Sequence, residues 1–161
     1  MHLGILSDTH DQVARTARAV ATLIDHGAEA LIHCGDLTGP FIVHACAAGP
    51  PCWFVFGNCD DDEPALRAAI EATGGTCLGY GGIVELAGRR IAVTHGDRPE
   101  VVRQLIAERP DYLLSGHSHR MGDHREGSLR RINPGALYRA SRWTVALLDL
   151  AADELRFLEI A

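Results

Sequence analysis

Lysine is absent from this sequence, and all 15 of its basic residues are arginine. Against 21 acidic residues they leave a formal net charge of −6 with histidine neutral. An acidic chain without a basic tract argues against nucleic acid or a membrane surface as partner. It does not argue against a small phosphate ester, because bound cations reverse the local sign. Any CxxC pair is also missing. The five cysteines, at 34, 46, 52, 59 and 77, are odd in number and scattered, which excludes a thiolate zinc site. No basic leader precedes the first apolar run, so we read a cytoplasmic protein with reduced thiols. No apolar run approaches the ~20 residues of a membrane span. Repeats, low-complexity tracts and linkers are lacking too. Residues 1–161 therefore read as one domain, large enough to bury about 70% of its unfolded surface.

What is present is an alternation of strands and helices. "HLGILS" (2–7), "ALIHCG" (30–35) and "CWFVFG" (52–57) are apolar runs that predict buried strands. Between and after them, helical spacing or proline starts predict helices at 12–26, 40–48 and 63–73. "GIVELAGRRIAVTHG" (82–96) reads as a hairpin, followed by a helix at 99–108 and the strand "DYLLSG" (111–116). The last third, with "SLRRINPG", "WTVALLDL" and "ELRFLEI", predicts antiparallel strands and turns. This order implies an α/β sandwich with sheets inside and helices outside.

The polar residues fall at strand ends. The first strand ends in Asp8 and His10, the second in Asp36, and the third in Asn58, Cys59 and Asp60. Two later strands end in His95 and in His117 with His119. The carboxyl edge of an α/β sheet is where ligands bind. Carboxylate, amide oxygen and imidazole suit manganese, iron, zinc, nickel or cobalt. Seven such ligands (Asp8, His10, Asp36, Asn58, His95, His117, His119) exceed the needs of one ion with open positions. They suit two ions ~3.5–4 Å apart that share a carboxylate.

The ordered set D-x-H, G-D, G-N-C-D, T-H-G and G-H-S-H resembles the calcineurin-like metallophosphoesterases. The short length and the "GNCD" variant resemble the small bacterial and archaeal phosphodiesterases of that superfamily. "INPGAL" (132–137) matches their N-P-G-S turn, with Ala136 where Ser is usual. The resemblance runs from Asp8 to Leu150. It implies a four-layer α/β/β/α sandwich of mixed sheets and a divalent-metal-dependent phosphodiesterase acting on a small phosphodiester. It also implies two divalent ions per chain, with Mn2+ first and Ni2+, Fe2+, Zn2+ or Co2+ as alternatives. Asp8, His10, Asp36 and His119 would hold one ion. Asp36, Asn58, His95 and His117, the catalytic group, would hold the other, with Asp36 bridging. A hydroxide shared by the ions would attack phosphorus in line with the leaving alcohol. A homo-oligomer stays open.

Many members of the superfamily carry His where this chain has Cys59, and that His is thought to assist the leaving group. General acids commonly contribute 10²–10⁴-fold, and a thiol with pKa near ~8.5 is a weak donor. Cys59 is therefore expected beside the site without ligating, restricting the chain to slow turnover or good leaving groups. Asp60 is expected either to orient a histidine or to cap the following helix. Asp61, Asp62 and Glu63 are expected to serve that helix's positive end. His124, in a polar loop, is the spare candidate acid. Arg120, Arg139 and Arg142 are candidate phosphate grips. His33 is expected in the core or on a sheet face, His44 as structural, His2 and His26 at the surface, and Asn133 as a turn former. The alternative function is a non-catalytic metal-binding scaffold of the same fold. A complete ligand set favours the enzyme.

Overall fold

The computed structural model describes Met1–Ala161. The chain runs β1 (His2–Leu6), α1 (Val13–Asp25), β2 (Ala30–His33), α2 (Pro40–Cys46), β3 (Cys52–Phe54), α3 (Glu63–Ala72) and β4 (Thr76–Cys77). It continues with β5 (Gly81–Leu86), β6 (Arg89–Thr94), α4 (Pro99–Ala107), β7 (Tyr112–Leu114), β8 (Gly122–Glu126), β9 (Leu129–Asn133), β10 (Thr144–Asp149) and β11 (Glu154–Glu159). None of the helices is long and apolar enough to cross a membrane.

Two mixed sheets result. The first has the order β11-β10-β1-β2-β3-β4 and the second β5-β6-β7-β9-β8. β1, β2, β3 and β4 are parallel neighbours joined through α1, α2 and α3. β6, β7 and β9 are likewise parallel. Strands buried on both faces need continuous apolar runs, and β2 is buried at all four positions.

The apolar residues divide into three sets that define four layers. Val20 and Leu23 of α1, Ile42 and Val43 of α2, and Leu66 and Ile70 of α3 pack on Leu6, Leu31 and Phe54 of the first sheet. Between the sheets, Leu3, Ile5, Ile32 and Leu148 meet Ile91, Val93, Leu114 and Ile132. Leu105 of α4 covers Ala92 and Leu113 on the outer face of the second sheet.

Three details differ from expectation. The third strand stops at Phe54, three residues before Gly57. The predicted antiparallel run at the C-terminal end is interrupted, because β9 pairs with β7 in parallel. His124 lies on β8 rather than in a loop, opposite Arg131. β8 carries no apolar residue and is exposed along most of its length, so it has no alternation to announce it.

Candidate metal centre

The carboxyl ends of β1, β2 and β3 in one sheet face those of β6 and β7 in the other. Five of the seven predicted ligands sit there in left-handed backbone: Asp8 (φ 53°), His10 (40°), Asp36 (56°), His117 (69°) and His119 (57°). Asp and His tolerate this region better than most residues, yet it remains costly, and it concentrates at functional sites. Loop contacts leave little room. A Cβ on Gly57 would lie 2.2 Å from Asp36 Oδ1, and one on Gly116 would lie 1.9 Å from Ser7 Oγ.

Asp8 is fully buried. Its Oδ2 accepts the Ser7 hydroxyl at 2.6 Å and the His117 amide at 3.0 Å. Oδ1 is left without a hydrogen-bond partner, 3.1 Å from His119 Nε2. Asp36, 3% exposed, divides its oxygens the same way. Oδ1 accepts the Cys59 amide at 2.9 Å. Oδ2 lies 3.3 Å from His10 Nε2 and 3.4 Å from His95 Nε2. The His95 Nδ1–H donates to the Cys34 carbonyl at 2.8 Å, which aims Nε2 at the carboxylates.

Ligand atoms form three interlocking groups, each mutually within 4.8 Å: Asp8, His10, His119; Asp8, Asp36, His95; and His10, Asp36, Cys59. Asn58 and His117 are exposed and stand at the rim. The His117 ring is 5.1 Å from that of His95.

The residues fit a cation. Asp8 Oδ1, His10 Nε2 and His95 Nε2 are buried without a hydrogen-bond partner, and the two carboxylates face imidazoles rather than any arginine. Buried carboxylates facing only imidazoles demand positive charge. The titration of both partners says the same. Burial alone would lower His95, but Asp36 and Asp8 overcome it and raise the ring to about 9. Burial alone would raise Asp36, but the close His10 and His95 rings and the Cys59 amide hold it well below the usual carboxylate range.

Asp60 performs neither predicted task. Its carboxylate accepts the amides of Thr38 (2.7 Å), Gly57 (2.8 Å) and Asp36 (2.9 Å), stapling the loop after β2 to the loop after β3. The cap of α3 is Asp62, which accepts from the Ala65 amide. Glu63 lies in the first turn of α3 as expected, where it also receives the Tyr80 hydroxyl and pairs with Arg67.

His33 is in the core as expected. Its Nδ1 accepts the Gly35 amide and its Nε2 lies 3.0 Å from Thr9 Oγ1. Burial lowers it to about 3, so it stays neutral. Asn133 forms its turn with Gly135 and also donates to the Gly116 carbonyl and Ser118 Oγ, bracing the His117–His119 loop. Arg142 is held by Glu159, while Arg120 and Arg139 are exposed. His44 and His26 are exposed, and His2 is half-buried. A cleft of about 230 Å³ adjoins the site, lined by Ser118, Arg120, His124, Arg131 and Asn133.

Sequence reasoning missed Ser7 and the Cys34 carbonyl. It also missed Tyr138, whose ring is 4.7 Å from His10, and the Arg139 carbonyl, 3.4 Å from His119 Nδ1. Tyr138 directly follows "INPGAL", the one available signal.

The chain is similar to known proteins along its whole length. It is 27% identical over 161 residues to phosphodiesterase MJ0936 of Methanocaldococcus jannaschii, covering 97% of each sequence. An archaeal phosphodiesterase structure superposes with a TM-score of 0.90 at 26% identity, covering 99% of both chains. YfcE, a phosphoesterase from E. coli, shares the fold with a TM-score of 0.70 at 20% identity over the full length of both. The sequence pattern of the calcineurin-like phosphoesterase superfamily domain matches residues 1–153, and with that match the chain belongs to this superfamily.

Proposed function

We propose that the chain is a divalent-metal-dependent phosphodiesterase whose ions lie on the shared edge of the two sheets. One observation carries this reading: Asp8 Oδ1, His10 Nε2 and His95 Nε2, buried without a hydrogen-bond partner, converge at two carboxylates that face imidazoles rather than any arginine. Asp8, His10, Asp36 and His119 would hold one ion. Asp36, Asn58, His95 and His117 would hold the other. Asp36 belongs both to the group containing His10 and to the group containing His95, which suits a bridging role. The oxygen and nitrogen donors suit Mn2+, with Ni2+, Fe2+, Zn2+ or Co2+ as alternatives.

When bound, two such cations neutralise phosphate charge and acidify a water until it can attack near neutral pH. The chain's own contribution is orientation. Ser7 and the His117 amide fix one oxygen of Asp8, and the Cys59 amide fixes one of Asp36. The Cys34 carbonyl fixes the His95 ring. Each bond leaves the opposite atom aimed at the same small volume. The similarity to MJ0936 and to an archaeal phosphodiesterase structure supports this ester class.

Proton supply to the leaving alcohol is the weak point. Burial and then Asp36 push the Cys59 thiol up to about 11, which makes it a weak proton donor. The preferred esters should have good leaving groups.

The test is metal analysis of purified protein, followed by phosphomonoester and phosphodiester panels with each divalent ion added after stripping. Restored diester hydrolysis, strongest with Mn2+, is the expected result. Tight ion binding without turnover of any ester would favour the scaffold reading. Failure to bind any ion would remove both.

A further inference from the structure

We propose that Cys59 is a conditional ligand, giving a thiolate to thiophilic ions at this centre and none to hard ones; this rests on the metal-centre reading above. One ligand atom each from His10, Asp36 and Cys59 lies within 4.8 Å of the other two. His10 Nε2 and Asp36 Oδ2 are only 3.3 Å apart. Donors bound to one tetrahedral ion at ~2.0–2.3 Å stand roughly 3.5 Å from each other. A small side-chain adjustment would complete the set.

The thiol is placed for it. Its own amide is tied to Asp36 Oδ1 at 2.9 Å, which holds Cys59 against the carboxylate. Asn58 Nδ2 donates to the thiol at 3.4 Å. His10 Nε2, the third member, is buried without a hydrogen-bond partner. Cys34, Cys46 and Cys52 are buried core thiols, and Cys77 faces Arg67 elsewhere. Cys59 alone can serve the site.

A sulfur donor changes which ions are held. Thiolate favours Zn2+, Co2+ and Cd2+, while Mn2+ and Mg2+ prefer the oxygens and imidazoles. On binding, the S–H bond breaks, the proton passes to solvent and a sulfur–metal bond forms, with no change of oxidation state. The sulfur then fills a position that substrate phosphate or water needs. Position 59 would thereby make the identity of the ion a control on this centre.

Co2+ and Cd2+ titrated into the stripped full-length chain provide the test, with Cys59→Ser and Cys59→Ala in parallel. Wild type should show thiolate-to-metal charge-transfer absorption in the ultraviolet, saturating with the first ion. Both variants should lose that band while keeping bound cobalt and its visible d–d absorption. Losing even an outer partner of a ligand costs about 10–100-fold in metal affinity. The variants should therefore weaken Cd2+ by at least that factor and leave Mn2+ within about twofold. Cobalt binding without the band in wild type, or a band persisting in Cys59→Ser, would overturn the assignment and leave the metal centre standing. Absence of any cobalt binding would overturn both.

Discussion

Asp36 gives one carboxylate oxygen to a backbone amide and offers the other to two imidazoles. Asp36→Asn keeps the volume but removes the charge. Bound metal should fall by at least one ion per chain, and diester hydrolysis by about 10²–10³-fold or more. Retained metal and rate would refute the bridging role. Cys59→His tests the opposite change, supplying the missing proton donor. It should raise kcat/KM for poor leaving groups by about 10²-fold and leave activated aryl esters nearly unaltered, as a leaving-group series would show. The seven proposed ligand positions stand out in the sequence because each follows an apolar run; the structure brings Asp8, His10, Asp36, His95 and His119 into shared groups and leaves Asn58 and His117 exposed. Ser7 was not legible, since a serine before an aspartate looks like any loop entry. Nor was the partnership of Tyr138 with His10, which joins residues 128 positions apart and depends on where the last loop returns.

The elements that matter most to the site are the loops after β2 and β3, and one side chain holds them together. Asp60, 5% exposed, accepts three amides across the two loops. Asp60→Asn replaces a charged acceptor with an amide whose NH2 must face one of those donors. A hydrogen bond to a charged group contributes about 1.5–3 kcal/mol, so urea unfolding should report a loss on the order of 2–4 kcal/mol. Metal affinity should drop by about 10–100-fold. Unchanged affinity in a destabilised variant would make Asp60 a folding residue only. Sequence reasoning placed Asp60 near the centre but assigned it the wrong partners, because backbone amides from another loop leave no trace in spacing. Helices and inner strands were legible from apolar periodicity. β8 was not, because "GDHRE" faces water at most positions. β4 is only two residues long.

At the scale of the molecule, the two sheets join through an apolar layer and through one buried charge. Arg130, 6% exposed, lies on β9 and grips Asp123 of β8 at 2.8–2.9 Å and Asp153 in the β10–β11 turn at 2.6 Å. Tyr112 adds its hydroxyl to Asp153. Burial would raise Asp153, but hydrogen bonds from Arg125, Tyr112 and Arg130 hold it well below the usual range. A depressed carboxylate adds stability above its unfolded pKa, near ~3.9, and loses it as pH falls toward the folded value. Asp153→Asn should therefore cost about 1–3 kcal/mol near neutrality, and its gap to wild type should close only below about pH 4. A gap that stays constant through acid would mean that the charge contributes nothing. The left-handed residues of the metal edge carry a different consequence. Main chain and chemistry there filter substitutions together, since a bulky or β-branched newcomer carries a backbone cost of about 1–3 kcal/mol whatever its donor atoms. A descendant of this chain that had given up its ions would betray its ancestry through glycine and asparagine surviving where aspartate and histidine once stood.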